Sequence, residues 1–419
     1  MQKIKRVSLF SSKKDLTLYL FFITLLFIIS LGVEYYHYQT LKRNKSEILQ
    51  ATIIKHYIKT TPKKRYQVIK LRFGMFHTFY TTASTKYHIY DNAKVHIKIY
   101  TKKLTFFSYL KGFYARGWFL SQTKQNTLRE KLAQNITNQH TNKDISTIYK
   151  ALYLAYPLDH KLYTFFSSLG VSHLFAISGF HLGLISFFLF LFLKPLLKQF
   201  YQRYFPYRDI KRDTFYLITI ILLLYVILLE YPPSLVQSYS MMIIGFFLYD
   251  RGLSLFSLQT LFIAISLLLA LFPPLFFSFG FWLSVLGVFY ILVFLHHFQL
   301  HNIKEYFIIP FWVYLMMLPT TLFFFHNFSL FHPFSILATL IFSLFYPLSL
   351  FFHLFGYGSI FDPFIQELLS LNITTKQVEL SFILWSSFMF LSFGAIFSKK
   401  LLYTLLFYSI AIFGYVYLL

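Results

Sequence analysis

The sequence predicts a polytopic α-helical membrane protein of about ten transmembrane helices, with a small extracytoplasmic OB-like β-barrel domain after the first of them. Three observations predict it. Hydrophobic residues make up 57% of the 419 and the mean hydropathy is +0.56, while only 13% are charged, against about 25% in soluble chains. Lys and Arg number 39 against 15 Asp and Glu, a net charge of +24. That charge is segregated: residues 40–145 hold 21 Lys/Arg and four acids (Glu47, Asp91, Glu130, Asp144), whereas 162–419 carry 11 basic and 8 acidic residues. A soluble multidomain enzyme and a disordered basic protein are both excluded, the second because it would lack the apolar bulk. The absence of Cys excludes a disulfide framework, thiolate-ligated zinc, Fe–S clusters and a thiol nucleophile.

The first segment, 1–35, places the uncharged run Leu16–Val33 behind Lys3, Lys5, Arg6, Lys13 and Lys14. At about 1.5 Å per residue this run nearly covers a ~30 Å hydrocarbon core. It is long for a signal peptide, and Glu34-Tyr35-Tyr36-His37 is no small-residue cleavage site. It therefore reads as an uncleaved span with a cytoplasmic N-terminus.

Residues 36–105 change period. Val95, Ile97 and Ile99 alternate with Lys94, His96, Lys98 and Tyr100, and Ile69, Leu71 and Phe73 with Val68, Lys70 and Arg72, the mark of half-buried strands. Thr61-Pro62-Lys63-Lys64 and Asp91-Asn92 read as turns. Strands are expected near 49–59, 66–74, 76–82, 86–90 and 94–101, enough for a small closed barrel of OB type. Phosphate-tracking cations and base-stacking aromatics are what a single-stranded nucleic-acid groove needs. Lys63, Lys64, Arg65, Lys70, Arg72, Lys94 and Lys98 with Tyr57, Tyr66, Phe79, Tyr87 and Tyr100 supply both. The same residues would also suit a surface resting against anionic lipids.

Residues 106–160 are expected to form interfacial and linker helices. Phe106–Leu120 is apolar but too short to span, interrupted by Lys111, Gly112, Arg116 and Gly117, with Trp118 at headgroup depth. Leu128, Leu132 and Ile136 suggest a surface helix. The block 161–419 supplies spans near 173–193, 214–231, 234–250, 254–272, 275–295, 306–325, 331–354, 380–397 and 402–419. The basic loop 194–213 should be cytoplasmic. Alternation then puts Asp250-Arg251 and the His296–Glu305 loop inside and Lys399-Lys400 outside, unless a re-entrant 356–372 changes the parity.

Chemistry concentrates at Gly170–Leu184, where His173, Ser178, Gly179 and His181 sit in an apolar stretch. Ionisable groups at membrane depth usually face a bundle interior or a cavity, and Ser-Gly permits a kink or the close approach of another backbone. On an unbroken helix the two histidines are about 12 Å apart, too far to share a metal. A packing motif with hydrogen-bonded histidines accounts for the same residues. Asp159-His160 reads as a loop, His296-His297-x3-His301 has no acidic partners in ligand spacing, and no Gly-x4-Gly-Lys-Ser/Thr is present. No catalytic residue, metal site or cofactor is assigned.

His173–Leu184 (HLFAISGFHLGL) closely resembles the signature of the ComEC family, inner-membrane competence proteins that pass transforming DNA into the cytosol. Pro233-Ser234-Leu235-Val236-Gln237 with Asp250-Arg251-Gly252, and Phe272-Pro273-Pro274 with Gly280-Phe281-Trp282-Leu283-Ser284, resemble two further family segments in order. Pro310, Pro319, Pro333 and Pro347 follow its proline-punctuated helices more loosely. The chain departs from the family where Gln237-Ser238 replaces a usual arginine and where β-domain cysteines are missing. The resemblance implies a short form without the C-terminal metallo-β-lactamase-like domain of longer members, the chain ending at Leu419.

It further implies a passive channel for single-stranded DNA in the bacterial inner membrane during natural transformation, with channel residues at His173, Ser178, Gly179, His181, Pro233, Gly280, Phe281 and Ser284. Implied partners are single-stranded DNA, anionic lipids, a periplasmic DNA receptor, a separate cytosolic helicase or ATPase, and either a separate nuclease or none. Oligomeric state is left open. Two rival classes stay open on the residues alone: a secondary transporter using the broken helix, and a membrane-embedded hydrolase or transferase using His173, Ser178 and His181, with Glu230 the one acidic candidate nearby.

Overall fold

The computed structural model describes residues 12–43, 46–61, 64–90, 92–123, 127–250, 257–298 and 307–418. Lys3, Lys5, Arg6, Pro62, Lys63, Asp91, Arg251, Gly252, and 299–305 of the His296–Glu305 loop lie outside them. The chain forms two compact units, residues 1–132 with 262–282, and residues 133–261 with 283–419.

In the first unit, helix α1 (Lys13–Arg43) starts where Ser12 and Asp15 exchange backbone-to-side-chain hydrogen bonds of 3.0 and 3.2 Å, satisfying two orphan N–H donors. It does not stop at Val33. Its last turns enter the core of the β domain, where Tyr38 and Leu41 are buried and the Tyr38 hydroxyl donates to the Leu104 carbonyl at 3.1 Å. Glu34 lies 3.1 Å from His77 Nε2 and accepts the Tyr109 hydroxyl at 3.3 Å. Burial, with the Glu34 carboxylate beside it, pushes the Tyr109 phenol well above its ordinary range.

The sheet contains β1 (Ser46–Thr61), β2 (Lys64–Phe73), β3 (His77–Ser84), β4 (Lys94–Tyr100), β5 (Phe113–Tyr114) and β6 (Gly117–Thr123), ordered β5-β3-β2-β1-β4-β6. The alternation that marked β2 and β4 is the burial pattern: Ile69, Leu71, Val95, Ile97 and Ile99 point inward onto Ile53 and Phe79. A bulge between Ile53 and Lys55 bends β1.

Two expectations are corrected. Residues 86–90 form no strand, because a turn (Tyr87 N–H to Ser84 carbonyl, 3.0 Å) and the buried Gln67 amide (2.9 Å to the Tyr87 carbonyl) take up the backbone there. The stretch Phe106–Leu120 is instead a short helix, α2 (Phe106–Lys111), followed by β5 and most of β6. Gly112, at φ 103°, makes the turn between them, and a Cβ at Gly117 would come within 2.7 Å of Ile97 Cδ1.

One stretch of chain, 113–123, thus bonds β3 in parallel along one side and β4 antiparallel along the other. Helix α3 (Leu128–Asn138) follows, as expected from its leucines. The C-terminal part of α10 (Leu258–Leu271) and the 3-10 turn Pro273–Phe277 complete this unit, with Phe76 against Phe272, Phe107 against Phe277, and the Tyr19 hydroxyl 2.6 Å from Ser266 Oγ.

In the second unit, α4 (Lys143–Leu154) is almost wholly buried through Ile145, Ile148, Tyr149, Ala151, Leu152 and Tyr153. Next come α5 (His160–Ser168), α6 (Ser172–Phe175), α7 (Gly179–Tyr204), α8 (Ile210–Leu228), α9 (Pro233–Asp250) and, from Leu283 onward, α11 (Phe279–His297). The unit ends with α12 (Ile308–Phe325), α13 (Phe334–Leu354), α14 (Asp362–Ser370), α15 (Phe382–Gly394) and α16 (Lys399–Leu418). Helix α7 packs on α8, α9 and α13, and α12 on α15 and α16. A two-residue ladder, β7 (Asn327–Phe328) with β8 (Lys376–Gln377), joins the chain ahead of α13 to the chain ahead of α15.

Among the described residues, α1, α7, α11, α12, α13 and α16 are long and apolar enough to cross a membrane, and α10 and α15 are shorter apolar helices. The chain is a mostly helical, polytopic membrane protein. The expected spans near 214–231 and 234–250 are the helices α8 and α9.

His140 Nε2 lies 3.0 Å from His353 Nε2. Further along, Tyr153 meets Ser349 at 2.7 Å, and the Ser167 carbonyl meets His332 at 3.1 Å. Residues 140–167 therefore follow α13 from its last turn to the turn ahead of its first.

Candidate functional site

The outer face of the sheet is built by cross-strand register. In β4, Lys94, His96, Lys98 and Tyr100 alternate outward with the buried Val95, Ile97 and Ile99. Lys94 sits opposite Thr52, which sits opposite Arg72; residues directly opposite share a face. The next row is Lys55–Lys70–Tyr80, with Lys70 Nζ 5.6 Å from the centre of the Tyr80 ring. Beyond it lie Tyr57–Val68–Thr82 and Lys59–Tyr66–Ser84. Lys55 and Lys70, directly opposite in the register, set two like charges side by side on this face.

Of the residues singled out in the sequence, Tyr57, Tyr66, Lys70, Arg72 and Lys94 come together on this face. Lys98 pairs with Ile48 and Trp118, and Tyr100 with Ser46, at its far end. Lys64 closes the β1–β2 hairpin, and Arg65 is exposed but one residue out of phase, on the side of Gln67 and Ile69. Lys63 lies outside the described residues, Tyr87 stacks on Phe119 at 5.4 Å, and Phe79 is buried in the core, where it cannot stack on a base. Sequence reasoning missed Lys55, Tyr80 and Trp118, and period-2 phase from Lys70 along β1 and β3 was the signal that would have found Lys55 and Tyr80.

The second feature is the break between α6 and α7. The Ser-Gly kink expected there is a full interruption: the chain leaves helical geometry at Ala176 and Ser178 and re-enters it at Gly179. His173 and His181 therefore lie on different helices. His173 is exposed, its Nδ1 3.1 Å from the Gly170 carbonyl. His181 is fully buried, its ring edge-on to Phe342 and Tyr346 of α13.

The His181 Nδ1 accepts the Ser178 backbone N–H at 3.3 Å, as a Glu does in a capping box. Its ring proton must then sit on Nε2. Helix α9 holds the break from the other side. Ser234 Oγ donates to the Ile177 carbonyl at 2.7 Å, and a Cβ at Gly179 would lie 2.6 Å from Ser238 Oγ. Pro233 opens α9 at a position that needs no N–H. Two of the family-like segments, distant in sequence, are thus in contact. Gly280 and Phe281 fall in the first unit, where Phe281 is buried, and Ser284 falls in the second.

A buried polar cluster, invisible in the sequence, lies beside α13. His140 Nδ1 is 2.9 and 3.0 Å from the two Asp362 oxygens, and His353 Nδ1 is 2.6 Å from the Ser349 carbonyl. The Tyr153 hydroxyl donates to Ser349 Oγ at 2.7 Å, and Tyr149 stacks on His140 at 4.6 Å and 11°. Gln139 donates to the His353 carbonyl and accepts the Gly358 N–H at 2.9 Å. Among the described residues no group of three or more His, Asp or Glu side chains is arranged to hold a metal ion.

A family model described as Competence protein matches residues 156–419, more than half of the chain. No curated protein and no solved structure matches it.

Proposed function

The chain belongs to the competence-protein family, which supports a role in competence DNA uptake, and from that premise we propose that it is the conduit through which single-stranded transforming DNA crosses the bacterial inner membrane. The N-terminus is cytoplasmic and the β domain periplasmic, an OB-like barrel closed by the stretch 113–123. Consecutive strands at the two ends of the sheet order support the closure.

The observation that carries the reading is the outer sheet face, where cations and aromatic rings from four adjacent strands share one surface. Phosphates are drawn to Lys94, Arg72, Lys70 and Lys55, and bases stack on Tyr57, Tyr66 and Tyr80. From there the strand enters the helical unit, where the break at Ser178-Gly179 leaves backbone groups able to line a polar path. His181 acts in this reading as a positioning residue that holds the break open. The chain performs no catalytic step. A periplasmic receptor supplies the DNA, a cytosolic helicase draws the strand inward, and a separate nuclease removes the other strand.

A deletion strain given fluorescent DNA tests this. Label should accumulate in the periplasm and be absent from the cytosol. Label reaching the cytosol at the wild-type rate overturns the proposal.

A further inference from the structure

The hydrogen-bond arithmetic of the cluster beside α13 points to a proton-binding site: we infer that Asp362, His140 and His353 together hold one proton more than an ionised carboxylate and two neutral imidazoles would carry. The argument is a count of donors. His353 Nδ1 faces the Ser349 carbonyl at 2.6 Å. A carbonyl only accepts, so Nδ1 must carry its hydrogen and Nε2 is left with a lone pair. The Tyr153 hydroxyl spends its own hydrogen on Ser349 Oγ at 2.7 Å and supplies none to this ring.

At the other end, His140 Nδ1 faces both Asp362 oxygens, at 2.9 and 3.0 Å. If Asp362 is ionised, His140 Nδ1 donates to it and His140 Nε2 also carries a lone pair. Two lone pairs would then meet across the 3.0 Å between the Nε2 atoms. One hydrogen placed there makes an N–H···N bond. The proton count is the same whether that state is drawn as a carboxylate with an imidazolium or as a carboxylic acid with two neutral rings. In both drawings the triad is electrically neutral, which is the state that burial favours. The proton belongs to the three groups together rather than to any one of them.

The surroundings fit. The two histidines are nearly inaccessible, at 8% and 7%. The titratable groups facing them are Asp362 at the start of α14 and Tyr149 and Tyr153 of α4; Gln139, Ser349 and Gly358 are uncharged. Tyr149 lies flat on His140 and 4.3 Å from the His353 ring centre, a face that suits a protonated imidazole. Losing the proton leaves a buried net charge and two opposed lone pairs, so the contact between the turn after α3 and the end of α13 loosens as pH rises. This inference does not rest on the DNA-conduit reading.

The experiment uses the full chain in lipid nanodiscs with 15N-labelled histidine. At pH 8 the spectrum should contain one pair of ring nitrogens coupled through an N–H···N bond, absent in His140→Gln and in His353→Gln. In Asp362→Asn, isosteric but unable to balance the charge, the coupled pair should vanish at pH 8. The unsubstituted chain alone should show a melting temperature that falls as the coupled signal disappears at higher pH. Two neutral, uncoupled histidines at these positions in the unsubstituted chain at pH 6 and 8 overturn the inference. So does a stoichiometric divalent metal whose chelation removes the pair, since a metal would then occupy the place assigned to the proton.

Discussion

Gly179→Ala tests how the break is held. The new methyl would lie 2.6 Å from Ser238 Oγ and 3.0 Å from Ser238 Cβ, closer than van der Waals contact. Ser238 cannot simply turn away, because its hydroxyl donates to the Ser234 carbonyl at 2.8 Å. Overpacking of this kind costs about 1–3 kcal/mol. Alanine's helix preference returns less than the ~1 kcal/mol of an interior site, because Gly179 is the first residue of α7.

The net expectation is a destabilisation of about 1–2 kcal/mol, or a melting temperature lower by roughly 1–2 °C for a chain of this size. Gly183→Ala is the control on the same helix: nothing lies within 4 Å of its Cβ position, and the change should be neutral or slightly stabilising. Adding Ser238→Gly to Gly179→Ala removes both close atoms, so a double-mutant cycle should return a coupling of about 1 kcal/mol or more. Thermal unfolding of the purified protein by intrinsic fluorescence measures all four. A Gly179→Ala variant that melts at or above the unsubstituted protein, or a cycle without coupling, would refute the close-approach reasoning.

On the sheet face, Lys70→Gln and Arg72→Gln should each lower the salt slope of oligonucleotide binding by about one phosphate contact, whereas Lys161→Gln in the other unit should leave it unchanged; equal slopes in all three variants would remove this face from the DNA path. Gly117→Val drives a branched side chain into Ile97 and should destabilise the β domain by about 1–3 kcal/mol, read as earlier proteolysis between residues 46 and 123. Between α7 and α8, the Arg208 guanidinium, 2.7 Å from Asp213, holds that carboxyl below the usual range. The bridge is therefore intact above the ordinary carboxylate range and lost as pH falls through the lowered value. Arg208→Gln should raise the Asp213 titration toward the ordinary range, the Tyr201 hydroxyl and Arg212 still holding it down, as followed by carboxyl 13C NMR.

What the sequence made legible was local and periodic. The alternation of Val95, Ile97 and Ile99 with charged neighbours is the register that builds the outer face, and the uncharged Leu16–Val33 run is the heart of α1. Contacts between distant segments were not legible. The pairing of 113–114 with β3 is parallel and long-range, and the Gly and Arg interruptions that mark it read equally well as an interfacial helix. Likewise His140, His353 and Asp362 are separated by 213 and 222 residues, and no spacing rule joins them. Gly179 was visible as a site of close approach, but its neighbour, Ser238, was not.

The passage of α1 from its lipid-facing turns into the β-domain core has a mechanical consequence. Helix phase sets the bearing of the sheet's outer face, at about 100° per residue. The Tyr19–Ser266 bond low on the helix and the Phe76–Phe272 contact at the domain hold that bearing at two heights. One residue inserted between Tyr19 and Glu34 would have to break one of the two. A flexible tether in place of the segment from Glu34 to Arg43 would let the domain wander over roughly 17 Å. The helix removes that freedom, so whatever the sheet holds is presented at one azimuth and one radius.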